Sequence, residues 1–294
     1  ALEGVSARDL AAASNVLTQR YRAELRDGRA HLADDLTARA YLAARLPATY
    51  AALRAALDAI AQQRPDFAPA TLLDFGAGPG TALWATRDCW PTVDAALLIE
   101  TSSAIRTFGA GFAKESGVAQ IDWQPSLDAA AARDLVTLAY VLDELDPAAR
   151  VPLIERLWSL TADTLLIVEP GTPAGCRRIL EARTQLLKSG AHLVAPCPHA
   201  AACPLVAPDW CHFSRRVARS RAHLSAKDAE VPWEDEKFSY MAVSRRDNAL
   251  PHSRVIALPR AGSGKVELKL CSSGGAAKWE LVTRRQGDRY KAAR

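Results

Sequence analysis

Apolar residues recur at three- and four-residue steps through the first part of the chain: Leu32, Leu36, Tyr41, Leu42, Leu46, Tyr50, Leu53, Leu57 and Ile60. That period lines one face of a helix, and abundant Ala favours the same state. The spacing predicts helices over 6–62, a layer that packs on something else, with a new helix opening at Pro47 after a break at Leu46. Past residue 70 the pattern shortens. Four short, mainly apolar runs, 71–75, 95–99, 134–138 and 164–168, predict buried strands, and helices are expected between or after them at 81–88, 102–116, 147–160 and 174–189. Strands alternating with helices predict a parallel sheet covered on both faces. Later β-like segments fall at 238–243, 254–258, 265–270 and 278–283, the last three separated by Gly-rich turns.

The fold class expected is therefore α/β, Rossmann-like. A helical region over 1–66 precedes a nucleotide-type domain over 67–190. A Cys-rich, basic segment over 191–250 completes the sheet, and a small OB-like antiparallel β unit fills 251–294. At 294 residues and 49% hydrophobic, the chain can bury a sizeable core. It has no apolar run of about 18 residues, so no membrane span is expected. Nor is there a basic-then-apolar leader, although the first residue is not Met and a removed targeting segment stays open.

The strongest local signal is Asp74-Phe75-Gly76-Ala77-Gly78-Pro79-Gly80-Thr81, which follows a strand and opens a helix. Gly76 and Gly78 permit tight turns and close ligand approach, and the helix start offers free N–H groups. A dinucleotide fingerprint needs its third Gly at position 81, which is Thr81. The D-x-G-x-G-x-G form resembles motif I of class I S-adenosylmethionine (SAM)-dependent methyltransferases. That resemblance implies a SAM site lined by Asp74, Gly76, Ala77, Gly78 and Gly80. Glu100, ending the next strand, is placed to accept from the ribose hydroxyls. Asp122 and Trp123 are candidates to flank the adenine, and Tyr140 to lie at the end of the fourth strand. The Asn/Asp-Pro-Pro-aromatic tetrad of amino-group methyltransferases is replaced by Ala139-Tyr140-Val141-Leu142-Asp143-Glu144-Leu145. Tyr140, Asp143 and Glu144 are acid/base candidates or the capped start of a helix, and Cys176 carries no mark of an activated nucleophile. SAM binding is better supported than catalysis, and no catalytic residue is assigned.

Charge divides the chain. Residues 1–176 hold 15 Lys/Arg and 22 Asp/Glu, net −7, whereas 177–294 hold 22 and 11, net +11. A basic half points to a polyanion or is simply a solubilising surface. Six cysteines with no secretion signal argue against a disulfide framework. The loop Cys197-Pro-His199…Cys203-Pro…Cys211-His212, together with the distant Cys271, makes a plausible four-thiolate set. Such a set suits a [4Fe–4S] cluster or zinc, and unligated thiols remain the third possibility. The wide spacings lack the close C-x₂-C pairs of zinc ribbons, and Cys-Pro dipeptides are familiar beside clusters. His199 and His212 are substitute ligands or donors to a ligand.

Taken in order, the motifs are D-x-G-x-G-P-G-T-x-x-W-A, then Val168-Glu169-Pro170-Gly171-Thr172-Pro173-Ala174-Gly175. The cysteine loop and Glu236-Lys237-Phe238-Ser239-Tyr240 follow. They resemble the methyltransferase-like proteins of the mitochondrial small ribosomal subunit, the yeast small-subunit protein twenty-two type, and their bacterial relatives. The resemblance spans about 21–290. It implies SAM binding, a [4Fe–4S] cluster on Cys197, Cys203, Cys211 and Cys271, and a role on or in assembly of the small ribosomal subunit through rRNA. A bacterial, cytoplasmic member, monomeric off the ribosome, is expected. Arg215, Arg216, Arg219 and Arg221, followed by Arg245, Arg246, Arg254, Arg260, Lys265 and Lys269, are the candidate phosphate contacts. Three functions fit: an rRNA methyltransferase, a non-catalytic assembly factor holding SAM structurally, or a small-molecule methyltransferase.

Overall fold

The computed structural model describes residues 2–22, 32, 34–227 and 229–294; the part of the expected helical run at 23–31 and 33 lies outside the described residues. Three helices come first: α1 (Ala7–Arg22), α2 (Asp35–Ala44) and α3 (Leu46–Gln63). Asp34 starts α2 with a capping box to Thr37, and Pro47 lies in the first turn of α3. Then β1 (Thr71–Phe75), α4 (Thr81–Cys89), β2 (Ala95–Ile99), α5 (Ser103–Ala113), β3 (Gln120–Gln124), β4 (Arg133–Ala139), α6 (Pro147–Ser159), β5 (Thr161–Pro170) and α7 (Pro173–Lys188) alternate. The main sheet is completed by β6 (His192–Ala195), β7 (Phe213–Ala218) and β8 (Trp233–Ser244), with a short α8 (Arg221–Lys227) between the last two.

The strand order is β3-β2-β1-β4-β5-β8-β6, with β7 pairing the outer part of β8. Strands β1 to β5 are parallel, and β8 runs antiparallel to both β5 and β6. This is the Rossmann-like class I methyltransferase fold, with one reversed strand inserted before the far edge. Successive residues of the central strands serve opposite cores. Leu72, Leu98, Leu166 and Val168 pack with α3 and α4; Leu73, Leu97, Leu165 and Ile167 pack with α6 and α7. Burial on both faces makes these strands read as mainly apolar runs without alternation.

Two devices fasten the helical layer to the sheet. At the end of α3, Arg64 donates to both oxygens of Asp163, to Thr164 Oγ1 (2.9 Å) and to Ser244 Oγ (3.0 Å), all buried. Ala226 of α8 packs with Leu10, Leu17 and Ala43 of α1 and α2. Beyond the main sheet, β9 (Ser253–Val255), β10 (Arg260–Gly262), β11 (Lys265–Ser272) and β12 (Ala277–Thr283) form an antiparallel unit. A helix, α9 (Asp288–Ala293), covers one of its faces through Tyr290 on Val266 and Val282. β9 and β10 pair successive halves of one edge of β11 and β12 pairs the other, so the unit is a small antiparallel sheet three strands wide. Among the described residues, no helix is long and apolar enough to cross a membrane.

Candidate functional site

The order of the sheet reverses between β1 and β4, and the crevice outside strand ends at such a point is where α/β sheets bind ligands. A cleft of about 690 Å³ opens there. Its floor is made by Gly76, Gly78, Glu100, Tyr140, Asp143 and Glu144, its far wall by Pro170, Gly171 and Thr172, and its roof by Tyr41, Arg45 and Thr49 of α2 and α3. Gly76, Gly78 and Gly80 all take positive φ (72°, 55° and 81°). Both Gly76 and Ala77 donate backbone N–H to Ile99 O at 2.9 Å, which ties the loop to the end of β2. Glu100 Oε2 accepts from Gly78 N (2.8 Å) and Oε1 from Ser102 N (2.7 Å), so the carboxylate is held rigid with lone pairs to spare. Asp74 is 2% exposed, and its Oδ1 accepts from Thr137 Oγ1 (2.7 Å). Burial pushes its carboxyl up to about 7, against the Thr137 hydrogen bond and with help from the charge of Glu100.

Tyr140, at the end of β4, is the one non-glycine with positive φ (58°) among the described residues. A bulky residue held there stores strain, a mark of sites where geometry is over-determined. Its hydroxyl donates to Glu236 Oε1 (3.0 Å), which also receives Arg45 Nη2 (3.4 Å). This contact joins α3, the end of β4 and the start of β8 across the cleft. Four of the expected SAM-site residues, Gly76, Gly78, Glu100 and Tyr140, line the cleft, whereas Asp74, Ala77 and Gly80 are buried behind it. Asp122 and Trp123 do not line it. Strand alternation turns Asp122 out to solvent, where it accepts from Gln124 Nε2 (2.6 Å). It turns Trp123 inward, under Gly80 and Gly109, where the ring lies 3.6 Å from the position a Gly80 Cβ would take.

The second site is a thiol-lined cavity. Cys197, Cys203, Cys211 and Cys271 all border one small void of about 40 Å³, between α7, the loop after β6, β8 and β11. A fifth thiol joins them: Cys176, on the first turns of α7, to which the Cys211 backbone N–H donates. Cys176, Ile179, Leu180 and Arg183 follow an i, i+3, i+4, i+7 stripe, the signal that could have placed this thiol there. All six cysteines are free thiols. Burial pushes those of Cys176, Cys197, Cys211 and Cys271 upward, Cys271 to about 11, and the neighbouring sulfurs add to it. His199 also lines the cavity, with Nε2 at 3.4 Å from Cys271 Sγ, while His212 stacks on Trp210 instead (centroids 5.1 Å).

Arg183 gives the cavity its electrostatics. It is 5% exposed, donates from Nη2 to His199 O (2.7 Å) and Ala201 O (2.9 Å), hydrogen-bonds Cys197, and leaves Nε without a partner. A buried guanidinium against several sulfurs is complemented by an anionic, thiolate-held group. The residues present fit such a group. Among the described residues, no three His, Cys, Asp or Glu side chains converge as ligands of a single ion; the sulfurs ring a void instead.

The expected phosphate contacts are thinned by pairing. Arg216 is bidentate on Asp235 (2.9 and 3.2 Å) and Arg219 donates to Glu234 (3.1 Å), because β7 lies against the acidic start of β8. Arg245 donates to Thr161 O and Trp158 O, Arg246 meets Asp163 (3.2 Å), Arg254 donates to Tyr240 Oη (3.1 Å), and Lys269 pairs with Asp209. Arg215, Arg221, Arg260 and Lys265 remain exposed.

Comparison with known proteins follows the same lines. The chain is 30% identical to the human mitochondrial ribosome assembly protein METTL17 over 281 residues, covering 86% of this chain and 60% of that protein. It is 23% identical to the Rsm22-cox11 tandem protein 2, mitochondrial, of Schizosaccharomyces pombe, covering 87% and 41%. It thus spans less than two thirds of the length of these relatives. Among solved structures it resembles the SAM-bound magnesium protoporphyrin IX methyltransferase of Synechocystis PCC 6803 (TM-score 0.45, 10% identity, 83% of this chain and 99% of that one). The model of the mitochondrial small ribosomal subunit protein Rsm22 matches residues 35–294, and the chain belongs to that family.

Proposed function

We propose that this chain is a SAM-binding assembly factor of the small ribosomal subunit that contacts rRNA through its basic C-terminal half and carries a [4Fe–4S] cluster. The observation that carries the SAM reading is the cleft at the β1/β4 switch point, with Gly76, Gly78 and a fixed Glu100 on its floor. The backbone at Gly76 and Gly78 admits close approach of the ligand and Glu100 accepts from the ribose hydroxyls, while Asp74, buried behind the loop, supports the floor rather than lining the cleft. The ribosomal reading is supported by membership of the family and by the human relative, a ribosome assembly protein.

Cys197, Cys203, Cys211 and Cys271 would hold the cluster, with Arg183 offsetting its negative charge. A ring of sulfurs around a void suits a polynuclear group better than one zinc ion, which needs four thiolates at ~2.3 Å from a single point. The cluster supplies a covalent brace; the chain's own residues join the cysteine loop and the β9–β12 unit to the sheet. Methyl transfer to RNA is the second reading, favoured by the strained Tyr140 at the end of β4.

Anaerobic purification with absorbance, iron, sulfide and zinc analysis is the first test. About four irons, lost in Cys211→Ser but kept in Cys176→Ser, supports the cluster and its ligand set. Zinc alone, or no metal, overturns it. Dialysis against labelled SAM tests the cleft, and co-sedimentation with small subunits tests the partner. Label reaching subunit RNA would select the second reading.

A further inference from the structure

The β9–β12 unit presents two unlike faces. One is closed by α9. The other carries, row by row along the paired strands, Cys271 opposite Ala277, Lys269 opposite Trp279, and Arg260 and Leu281 flanking Glu267. The Cys271 end faces the thiol cavity, while in the next two rows the face is open: Trp279 is 39% exposed and Leu281 50%. The Arg260 guanidinium lies 3.8 Å over the centroid of the Trp279 ring, and the Lys269 ammonium 6.0 Å from it. Residues 251–294 hold ten Lys/Arg against three Asp/Glu.

We infer that this open face is a stacking platform for unpaired RNA bases, with Trp279 as the ring on which a base stacks. The inference rests on the RNA-binding part of the function proposed above and names the residue and the kind of RNA. An exposed aromatic on a β-sheet surface, set among cations, is the chemistry that takes splayed-out bases. An RNA duplex offers its shape, phosphates and 2′-hydroxyls, and has no free base face to lay on an indole. Arg260 is planar, stays charged and already stacks on the ring, so it can cover the outer face of an inserted base or reach its phosphate. The charge of the unit complements a polyanion and disfavours an acidic or neutral apolar occupant. Placement of the platform depends on Cys271, because Trp279 and Cys271 belong to adjacent paired strands of one face.

The test compares the full chain with Trp279→Ala, Trp279→Phe and Arg260→Ala, measuring fluorescence anisotropy with a labelled single-stranded 12-mer and with a hairpin duplex of the same composition. Trp279→Ala is expected to weaken single-strand binding about tenfold, the worth of one stacked base. Trp279→Phe should restore most of it, and duplex binding should be unchanged. The salt dependence should stay the same for Trp279→Ala and become shallower for Arg260→Ala. Equal losses for single strand and duplex, or no loss, overturn the platform while leaving RNA binding intact. Retained RNA affinity with lost co-sedimentation on small subunits would make the face a protein-docking surface and also overturn it. Failure of the unaltered chain to bind either RNA removes both the platform and the RNA-binding reading.

Discussion

Replacing Gly76 with Ala separates two costs that the structure sets side by side. Gly76 has φ +72°, where a residue with a Cβ is disfavoured by roughly 1–2 kcal/mol. A Cβ there would also lie 2.3 Å from Val141 Cγ2. Val141 is β-branched and follows Tyr140, itself held at positive φ, so neither rotamer nor backbone gives way cheaply. Overpacking of this kind costs about 1–3 kcal/mol. Gly76→Ala is therefore expected to destabilise the fold by about 2–5 kcal/mol in urea unfolding, and to weaken SAM binding through displacement of the Tyr140–Val141 segment. Val141→Ala removes the clashing methyl, so the double variant should regain the packing share and keep only the backbone share. A double-mutant cycle should show a favourable coupling of about 1–3 kcal/mol. Coupling below about 0.5 kcal/mol, with Gly76→Ala as costly in either background, would refute the steric half of this reasoning.

Three further outcomes follow from buried groups. Asp74→Asn should flatten a pH dependence: its carboxyl stays protonated to about pH 7 when folded, whereas the unfolded chain releases that proton near pH 4. Stability should fall by up to about 4 kcal/mol as pH rises between those values, and the Asn variant should be the more stable at pH 8 in urea titrations. Arg64→Ala should cost about 2–4 kcal/mol, since it removes the buried cation that donates to both oxygens of Asp163 and leaves only the exposed Arg246 against that carboxylate. Burial opposes ionisation of Asp163, but hydrogen bonds from Arg64, Thr164 and Ser244 hold its carboxyl below the usual range; that contribution is present above about pH 4 and lost as pH falls through the folded value, which acid unfolding will show. Gly171→Ala should cost at least about 3 kcal/mol by the same assay, because its Cβ would lie 2.6 Å from backbone atoms of Lys237 and Phe238, which no rotamer change relieves.

What could be read from the sequence followed burial. β1, β2, β4 and β5 were legible because both faces are apolar, and the Gly loop because positive φ demands Gly. β3 was missed: Gln120–Gln124 is an edge strand without a fully buried residue, and its polar positions hid the period. β7 was read only as a run of arginines, because Arg215 and Arg216 mask an alternation that becomes clear beside Glu234, Asp235 and Glu236 of β8. The same pairing explains why counting cations overstated the phosphate-binding surface. The cleft's floor was readable and its roof was not, since Tyr41, Arg45 and Thr49 reach it from helices whose period says only that they pack.

The cleft and the thiol cavity are built from the same two elements, which spacing along the chain could not reveal. β8 gives Asp235, Glu236 and Lys237 to the cleft and, within four residues, Ser239, Tyr240 and Met241 to the cavity. The turn into α7 gives Gly171 and Thr172 to the cleft, and α7 itself gives Cys176 and Arg183 to the cavity. Gly171 is where they cross. Its N–H donates to Lys237 O (2.9 Å), its carbonyl accepts Trp210 Nε1 of the cysteine loop (3.0 Å), and it has no room for a side chain. The proposed brace across the cysteines would therefore fix Trp210, and through it the wall of the cleft formed by Pro170, Gly171 and Thr172. Reversed strand β8 makes this possible. Running antiparallel to β5, it brings its own start, rather than its end, to the ligand-binding edge of the sheet, and carries the chain from there past the sulfurs.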